Sequence, residues 1–252
     1  MDDYRQQIAA LTRALARPNA EEEVQGLAAD STRMAVKLFV DGNLDKRLEK
    51  LTVQLAFVAE AFEDFEERLV EYICTGPLVA LDSSLTDGQR MLEWLVRHKR
   101  LTPVQADYVS CQRARHRVEL LAASHHDHHA RFQSLRAEMN DENPLLLSTS
   151  IVHLNPIRAW ARFETTALLD EDDEPPCDVL VFADGDETAT AALELEAQAL
   201  VNELAEIEPC TIRHWAEASG LADEADVIEI CDDFVEMGLA AAEPAVLDSN
   251  SG

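Results

Sequence analysis

Hydrophobic residues in the first two thirds of the chain recur with the period of an α-helix. Between residues 44 and 73 they fall at steps of three and four, which places them on one side of a helix, away from charged residues such as Lys46 and Glu63. The stripe consists of Leu44, Leu48, Leu51, Leu55, Val58, Phe62, Phe65, Leu69 and Tyr72. Gly76-Pro77 follows it and predicts the end of this helix.

Two capping signals predict the next helices. Thr86 and Gln89 stand at the spacing of a capping box, and an apolar run follows them. Thr102-Pro103-Val104-Gln105 repeats the signal, with proline at the first helical position, where its missing N–H costs nothing. We expect the helix that begins there to extend to about Met139. Together these patterns predict a helical domain over residues 1–150.

The helical pattern stops at Asn143-Pro144. Residues 145–156 have the composition of an irregular segment, whereas residues 157–169 favour a strand weakly because of their β-branched and aromatic content. Residues 170–176 read Asp-Glu-Asp-Asp-Glu-Pro-Pro, a charged sequence that cannot bury itself. We therefore interpret residues 151–176 as a connector with one candidate strand.

The last third of the chain has the pattern of a hairpin followed by three helices. Residues 179–182 and 188–193 predict two strands joined at Asp184-Gly185, because a tight hairpin turn needs positive φ. Periodicity and turn residues predict three helices and a final wing strand, at about 194–207, 211–218, 223–237 and 239–246.

Glycines mark both ends of the last predicted helix. Gly220 falls in the turn before it, and Gly238 can end it in the left-handed conformation. This order of elements predicts a winged helix-turn-helix over residues 177–247, with residues 248–252 as a tail. The predicted fold class is mainly α with a small β component, an N-terminal helical domain plus a C-terminal winged helix-turn-helix.

The charge of the chain changes the interpretation of that second domain. The 252 residues carry a net charge of -28. From Glu164 onward there are 25 acidic residues and one basic residue, Arg213, so this segment alone contributes -24. Binding to nucleic acid or to anionic membrane needs a basic surface, so neither is an expected partner.

The last predicted helix carries no Lys or Arg. In a major groove its carboxylates would face phosphates, and such like-charge contacts cost several kcal/mol. They belong to Asp223, Glu224, Asp226, Glu229, Asp232, Asp233 and Glu236. Two interpretations are left: an acidic surface that serves solubility, or a docking module for a peptide or protein.

A docking module of this kind can accept an extended peptide as an added strand beside a helix. The candidate peptide-binding residues lie on the return strand of the hairpin and on the last helix, and they are Thr188, Thr190, Ala192, Val227, Ile230, Cys231 and Phe234. Most of the apolar helix stripe must belong to the core, so we expect only its margin to line a groove.

A histidine-rich run is the one candidate for metal binding. In Ser124-His125-His126-Asp127-His128-His129, His125 and His129 stand one helical turn apart and can share a divalent metal. Asp127 lies on another face of the helix. The pair falls on the partly apolar side of the helix, so histidines that simply pack against protein are the alternative interpretation.

Other patterns of catalysis and targeting are absent from the sequence. It has no Gly-x-Gly-x-x-Gly, no phosphate loop, no Gly-x-Ser-x-Gly and no His-Glu-x-x-His, so we do not expect an enzyme by itself. The N-terminus lacks the features of a signal peptide, and no long apolar run occurs. Five scattered cysteines favour reduced thiols, and we expect a cytoplasmic protein.

Three stretches of the sequence together resemble a known family. The first extends from Leu92-Glu93-Trp94-Leu95 through Arg100-Leu101-Thr102-Pro103-Val104-Gln105 to Cys111-Gln112-Arg113-Ala114-Arg115. The second is Leu154-Asn155-Pro156-Ile157-Arg158-Ala159-Trp160, and the third is Val179-Leu180-Val181-Phe182-Ala183-Asp184-Gly185 with the helices after it. In this order they resemble the small partner subunits of multinuclear non-haem iron oxygenases that modify ribosomally synthesised peptides (RiPPs).

The nearest likeness is to the partner in 3-thiaglutamate biosynthesis, and the methanobactin partner is a looser one. The resemblance implies a winged helix of the RiPP recognition element type that binds the leader of a precursor peptide. It also implies a stable heterodimer in which the partner enzyme holds the iron and oxidatively removes the β-carbon of a peptide cysteine, with no cofactor in this chain. Arg158 and Trp160 are candidates for the partner interface. A winged-helix adaptor or regulator that binds another protein is the alternative.

Overall fold

The computed structural model describes residues 42, 44–75, 85–142, 145–170, 174–185, 187–220 and 224–243. They are mainly helical, with two small antiparallel sheets. This confirms the prediction of a mainly α fold with a small β component. The chain divides into two compact units, Met1–Gln112 and Arg113–Gly252. This division lies earlier than residue 150, the predicted end of the helical domain. The predicted tail at 248–252 lies outside the described residues.

The N-terminal unit is built from helices. The stripe between residues 44 and 73 does not form one continuous helix, because the backbone N–H groups of Glu60, Ala61 and Phe62 bond to carbonyls three residues back, which tightens the turn. The helices are α1 (44–54), α2 (Ala56–Ala59), α3 (Phe65–Thr75), α4 (Asp87–His98) and the beginning of α5 (Pro103–Ser124). The stripe still forms the core, where Leu51, Leu55 and Val58 are fully buried. Gly76-Pro77 lies outside the described residues.

Both predicted capping boxes are confirmed. The Gln89 amide N–H donates to Thr86 Oγ1 at 3.2 Å, and the Thr86 N–H donates to Gln89 Oε1 at 2.8 Å. Thr102 and Gln105 form the same pair of bonds at 3.3 and 3.0 Å. Each box satisfies amide groups that a helix N-terminus otherwise leaves without partners.

A partly buried ionic cluster joins three helices of this unit at Asp87. Its carboxylate accepts hydrogen bonds from Arg47 Nε at 2.6 Å and from the Tyr72 hydroxyl at 2.9 Å. Burial acts to raise the pKa of Asp87, but the hydrogen bond and charge of Arg47 outweigh it and hold that pKa below its ordinary value. Burial and the charge of Asp87 raise the pKa of Tyr72 to about 12.

The C-terminal unit contains two three-stranded antiparallel sheets, with strand orders β5-β1-β6 and β2-β3-β4. The strands are β1 (Ile151–Leu154), β2 (Arg158–Phe163), β3 (Cys177–Asp184), β4 (Glu187–Ala192), β5 (Cys210–Thr211) and β6 (Ala240–Glu243). The helices are α6 (His126–Glu142), α7 (Leu195–Ile207), α8 (Ile212–Ser219) and α9 (Glu224–Glu236), and a short 3-10 helix covers Thr166–Leu168. No described helix has the length and apolar character to cross a membrane.

The structure confirms the predicted hairpin and the three helices after it, and it corrects two other predictions. Residues 151–154, expected to be irregular, form β1, and the expected strand beyond residue 157 forms β2. The helix predicted to reach Met139 is interrupted at His125, between α5 and α6. Gly185, Gly220 and Gly238 have φ of +61°, +71° and +83°, as their turn and cap positions predict.

One core cluster holds α7, α8 and α9 against both sheets. Trp215 is fully buried in it and donates its indole N–H to the Leu200 carbonyl at 3.1 Å. From β3, Leu180 and Phe182 enter the same cluster, and Val152 and Leu154 enter from β1. The two sheets therefore have different strands but share this core.

Candidate peptide-docking site

β4 is the outer strand of its sheet. It pairs with β3 in a register that matches Asp184 with Glu187 and Val179 with Ala192, and no other described strand pairs with it. The strand reads Glu-Thr-Ala-Thr-Ala-Ala, so it carries neither charge nor proline after Glu187. Outer strands are usually protected by charges, proline or bulges, because exposed backbone groups invite pairing.

Hydrogen bonds of Ala183 show which backbone groups of β4 point outward. The Ala183 N–H donates to the Ile157 carbonyl at 3.0 Å, and its carbonyl accepts from the Asn155 side chain at 2.8 Å. Both groups of Ala183 thus point away from β4, so Ala183 and its partner Thr188 form a pair without mutual hydrogen bonds. The N–H and C=O of Thr188 therefore point away from β3.

Antiparallel ladders alternate, so the same geometry recurs two and four residues later at Thr190 and Ala192. Within the part of the chain that the structure describes, nothing hydrogen-bonds to the outward groups of these three residues. The three sequence candidates on this strand are thus the residues whose backbone is available for another strand. We call this row of groups the β4 edge.

The candidate residues on α9 are placed differently. Val227 and Cys231 are fully buried and Phe234 is 2% exposed, all within the core cluster. Their side chains stabilise the fold and present no surface for a peptide. Ile230 is half-buried at the margin of that cluster. Burial raises the pKa of the Cys231 thiol to about 12, which keeps this thiol protonated and unreactive.

The opposite side of α9 is acidic and exposed. Asp226, Glu229, Asp232, Asp233 and Glu236 all face solvent. Glu224 is half-buried and accepts a hydrogen bond from Arg213 Nε at 3.0 Å. Asp223 lies outside the described residues. The predicted acidic face is therefore present on the outer side of α9.

Arg158, one of the two interface candidates, belongs to a polar joint at the beginning of β2. Its guanidinium donates to the Asn155 carbonyl and lies 3.4 Å from the Glu208 carboxylate. Glu208 also accepts from the Leu154 N–H at 2.7 Å. Burial lowers the pKa of Arg158, and the charge of Glu208 opposes that effect. With only 20% of its side chain exposed, Arg158 mainly stabilises the fold.

Asn155 is the centre of this joint, and sequence reasoning assigned it no role. It is fully buried, and its side-chain amide donates to the carbonyls of Ala183 and Gly238 at 2.8 and 3.1 Å. Its side-chain oxygen accepts from the Ile157 N–H at 3.0 Å. Asn155 thus connects β2, β3 and the end of α9. A polar residue followed by proline, just before the one predicted strand of this segment, was the only signal in the sequence.

Trp160, the other interface candidate, is 40% exposed on β2. It lines a cavity of about 360 Å³ whose other walls come from α5 and α7. The other two tryptophans, Trp94 and Trp215, are 5% and 0% exposed. Trp160 is therefore available for contact with a partner, whereas the other two belong to cores.

The side chains of the histidine run have the following neighbours within the described residues. His129 lies 3.0 Å from the Gln133 amide, and the His125 ring is 6.0 Å from the His128 ring between centroids. Burial, together with the neighbouring His126, lowers the pKa of His129. No group of three or more His, Cys, Asp or Glu side chains in the described part of the chain is arranged to hold a metal ion.

Comparison with known proteins adds no relative to this description. No protein-family model, no curated protein and no solved structure matches the chain. The geometry of the β4 edge and the chemistry around it are therefore the basis for any functional conclusion.

Proposed function

We propose that this chain is a non-catalytic partner subunit that binds a precursor peptide along the β4 edge and presents the peptide cysteine to a multinuclear non-haem iron enzyme. In this proposal the enzyme holds the iron and oxidatively removes the cysteine β-carbon, and this chain supplies recognition. The observation that carries the proposal is the outer strand, without charge after Glu187, with outward backbone groups at Thr188, Thr190 and Ala192.

A peptide strand needs main-chain partners and space, and the β4 edge offers both. The outward groups of alternate residues can form the hydrogen bonds of a fourth strand. After Glu187 the side chains are no larger than threonine, so they do not obstruct a neighbouring strand. Ala189 and Ala191 pack on the core cluster, which keeps the strand in place without any help from the peptide.

The winged-helix interpretation is part of the proposal. It is supported by α8 and α9, which follow one another across a turn at Gly220, and by the strands β5 and β6 that flank them and both pair with β1. The acidic outer face of α9 argues against a role in DNA binding, because it would meet phosphates with carboxylates. A docking role for peptide fits this charge.

A proline substitution tests the β4 edge directly. Thr190→Pro removes one outward N–H and leaves the ladder to β3 intact, since that N–H does not face β3. Thr190→Val is the matched control, because it keeps the N–H and removes only the hydroxyl. Displayed random peptides selected on the wild-type chain should bind Thr190→Val equally well and Thr190→Pro at least about tenfold more weakly.

Two results would refute strand addition at this edge. One is a selection that enriches no peptide, and the other is an enriched set that binds Thr190→Pro as tightly as wild type. Circular dichroism and thermal unfolding of both variants check that the fold is kept.

The enzymatic part of the proposal has its own test. It expects a barrel-type iron enzyme and a short cysteine-containing peptide to be encoded beside this chain. Co-expression of the three should give a stable complex that modifies the peptide, as followed by mass spectrometry, and Thr190→Pro should abolish the modification. Equal modification without this chain would show that it is not the recognition subunit.

A further inference from the structure

A concave surface lies at the other edge of the same sheet, and the peptide site proposed above does not use it. It lies between the exposed side of β2 and helix α7, and it has a volume of about 360 Å³. Its main walls are Arg117, Pro156, Trp160, Val201, Asn202 and Ala205. We call this surface the Trp160 groove.

The groove offers an apolar contact centred on Trp160. Trp160 is 40% exposed and Ala205 beside it is half-buried, whereas Val201 forms the buried floor and is 1% exposed. Tryptophan residues that stand in a concave surface are typical centres of binding energy in protein interfaces, since their rings bury a large area on contact. The exposed amide of Asn202 adds a polar group that can donate or accept a hydrogen bond.

The groove also has one positive charge that the described residues do not neutralise. Arg158 at its wall is paired with Glu208, so it brings no net charge. Arg117 is exposed, and the described residues offer it no hydrogen bond or ion pair. Each of the other described arginines of this unit interacts with other residues of the chain. Ion pairs involve Arg131, Arg136, Arg158, Arg162 and Arg213, and Arg113 and Arg115 also have polar, ring or electrostatic partners.

We infer that the Trp160 groove binds an extended acidic segment of the partner protein, in which one carboxylate side chain reaches Arg117 and an adjacent apolar side chain covers Trp160. The charge complementarity fits a single carboxylate, because among the described arginines of this unit Arg117 alone has no polar, ring or electrostatic partner within the described residues. A nucleic-acid strand would bring a series of phosphates to a unit that is otherwise strongly acidic. The identity of the partner as the iron enzyme rests on the proposed function, whereas the chemistry of the groove does not.

The experiment uses the full chain with its β4 edge blocked. Displayed random peptides are selected on the Thr190→Pro variant, so peptides that add to β4 are excluded. The enriched peptides should contain Asp or Glu next to an apolar residue. Affinity of a synthetic copy should fall at least about tenfold in Arg117→Glu and in Trp160→Ala, and it should be largely kept in Arg117→Lys, which retains the charge.

A second arginine controls for net charge. Arg131→Gln removes one cation outside the groove and should leave affinity unchanged, whereas Arg117→Gln should weaken it. The inference is overturned if no peptide is enriched, if the enriched peptides lack a carboxylate, or if Arg117→Glu binds them as tightly as the parent. A salt-sensitive dimer in sedimentation that Arg117→Glu abolishes would instead assign the groove to a second copy of this chain.

The outcome is separable from that of the proposed function. Peptides that bind wild type and Thr190→Val but not Thr190→Pro report on the β4 edge alone. Peptides that bind Thr190→Pro and depend on Arg117 report on the Trp160 groove alone. Either result can occur without the other.

Discussion

The two outer strands of the β2-β3-β4 sheet differ in whether the polar groups around them have hydrogen-bond partners. β2 begins at a buried polar joint, where Asn155 and Arg158 bind backbone carbonyls and Glu208, and it carries Arg162 and Trp160 on one face. β4 has no charged residue after Glu187, and the outward backbone groups of its alternate residues have no hydrogen-bond partner among the described residues.

This difference separates stability from binding. Side chains around the beginning of β2 satisfy buried groups of neighbouring elements, so changing them should lower the free energy of unfolding. Outward groups of β4 satisfy nothing within the described residues, so changing them should alter peptide binding and leave stability nearly constant. This distinction would be wrong if changes at the beginning of β2 left stability constant, or if changes to the outward groups of β4 lowered it.

The largest effect is expected at Asn155. Asn155→Ala leaves the buried carbonyls of Ala183 and Gly238 and the Ile157 N–H without their side-chain partner, which should cost about 3 kcal/mol of unfolding free energy. Thr190→Val on β4 should change it by less than about 0.5 kcal/mol. Urea unfolding of both variants measures the contrast. A loss below about 1 kcal/mol for Asn155→Ala would mean that the joint is not needed for stability.

Proline substitutions along β4 should alternate in their effect on stability. Thr190 belongs to a pair without mutual hydrogen bonds, and the pairs of an antiparallel ladder alternate. The next pair, Ala191 with Leu180, is therefore hydrogen-bonded, so the Ala191 N–H faces β3. Ala191→Pro removes that ladder bond and should lower the free energy of unfolding by about 1 to 2 kcal/mol more than Thr190→Pro does. Chemical denaturation gives the difference. Equal losses at both positions would contradict the assigned direction of the outward groups.

The ion pair of the joint should show measurable coupling. In a double-mutant cycle of Arg158→Met and Glu208→Gln, we expect an interaction free energy of about 1 kcal/mol, since both side chains are three-quarters or more buried. The exposed pair of Arg162 and Glu164 at the far end of β2 is the matched control. Its cycle should give a smaller value, because exposed pairs are screened by solvent. Similar coupling in the two cycles would remove the distinction between the buried and exposed ends of this strand.

The smallest expected effect is the response of the two binding surfaces to salt. Exposed Glu187 and Glu194 flank the β4 edge, so basic peptides should associate faster there, and their association rate should fall several-fold between low and high ionic strength. Peptides that bind the Trp160 groove should be acidic, and their affinity should also fall as the salt concentration rises. Surface plasmon resonance with the selected peptides measures both. An association rate at the β4 edge that does not change with salt would exclude electrostatic attraction there.

Local signals in the sequence predicted much of the fold. The capping boxes at Thr86 and Thr102 depend on residues three apart, and the turn at Gly185 depends on its own backbone, so both could be predicted without tertiary information. β1 could not, because a four-residue strand is stabilised by partners at 210–211 and 240–243, far away in the chain. Similarly, Asn155 acts on residues 28 and 83 positions away.

The candidate site was predicted in part. The candidates on β4 are the residues with outward backbone groups, and the strand and its turn are local features. The candidates on α9 were chosen from an apolar stripe, and a stripe cannot show which of its members the core will bury. Arg117 was not a candidate. It lies beside Trp160 only because α5 packs near β2, and the sequence does not show that packing.

By itself, the sequence determined the three C-terminal helices, the hairpin and the concentration of acidic residues in the last third of the chain, because period, turn residues and charge act over a few neighbours. Only the tertiary structure decided which strand edge is open, which strand β6 pairs with and which side of α9 is buried. Those outcomes depend on pairing and packing between distant segments, where each contact is selected by the burial and hydrogen bonding of both partners.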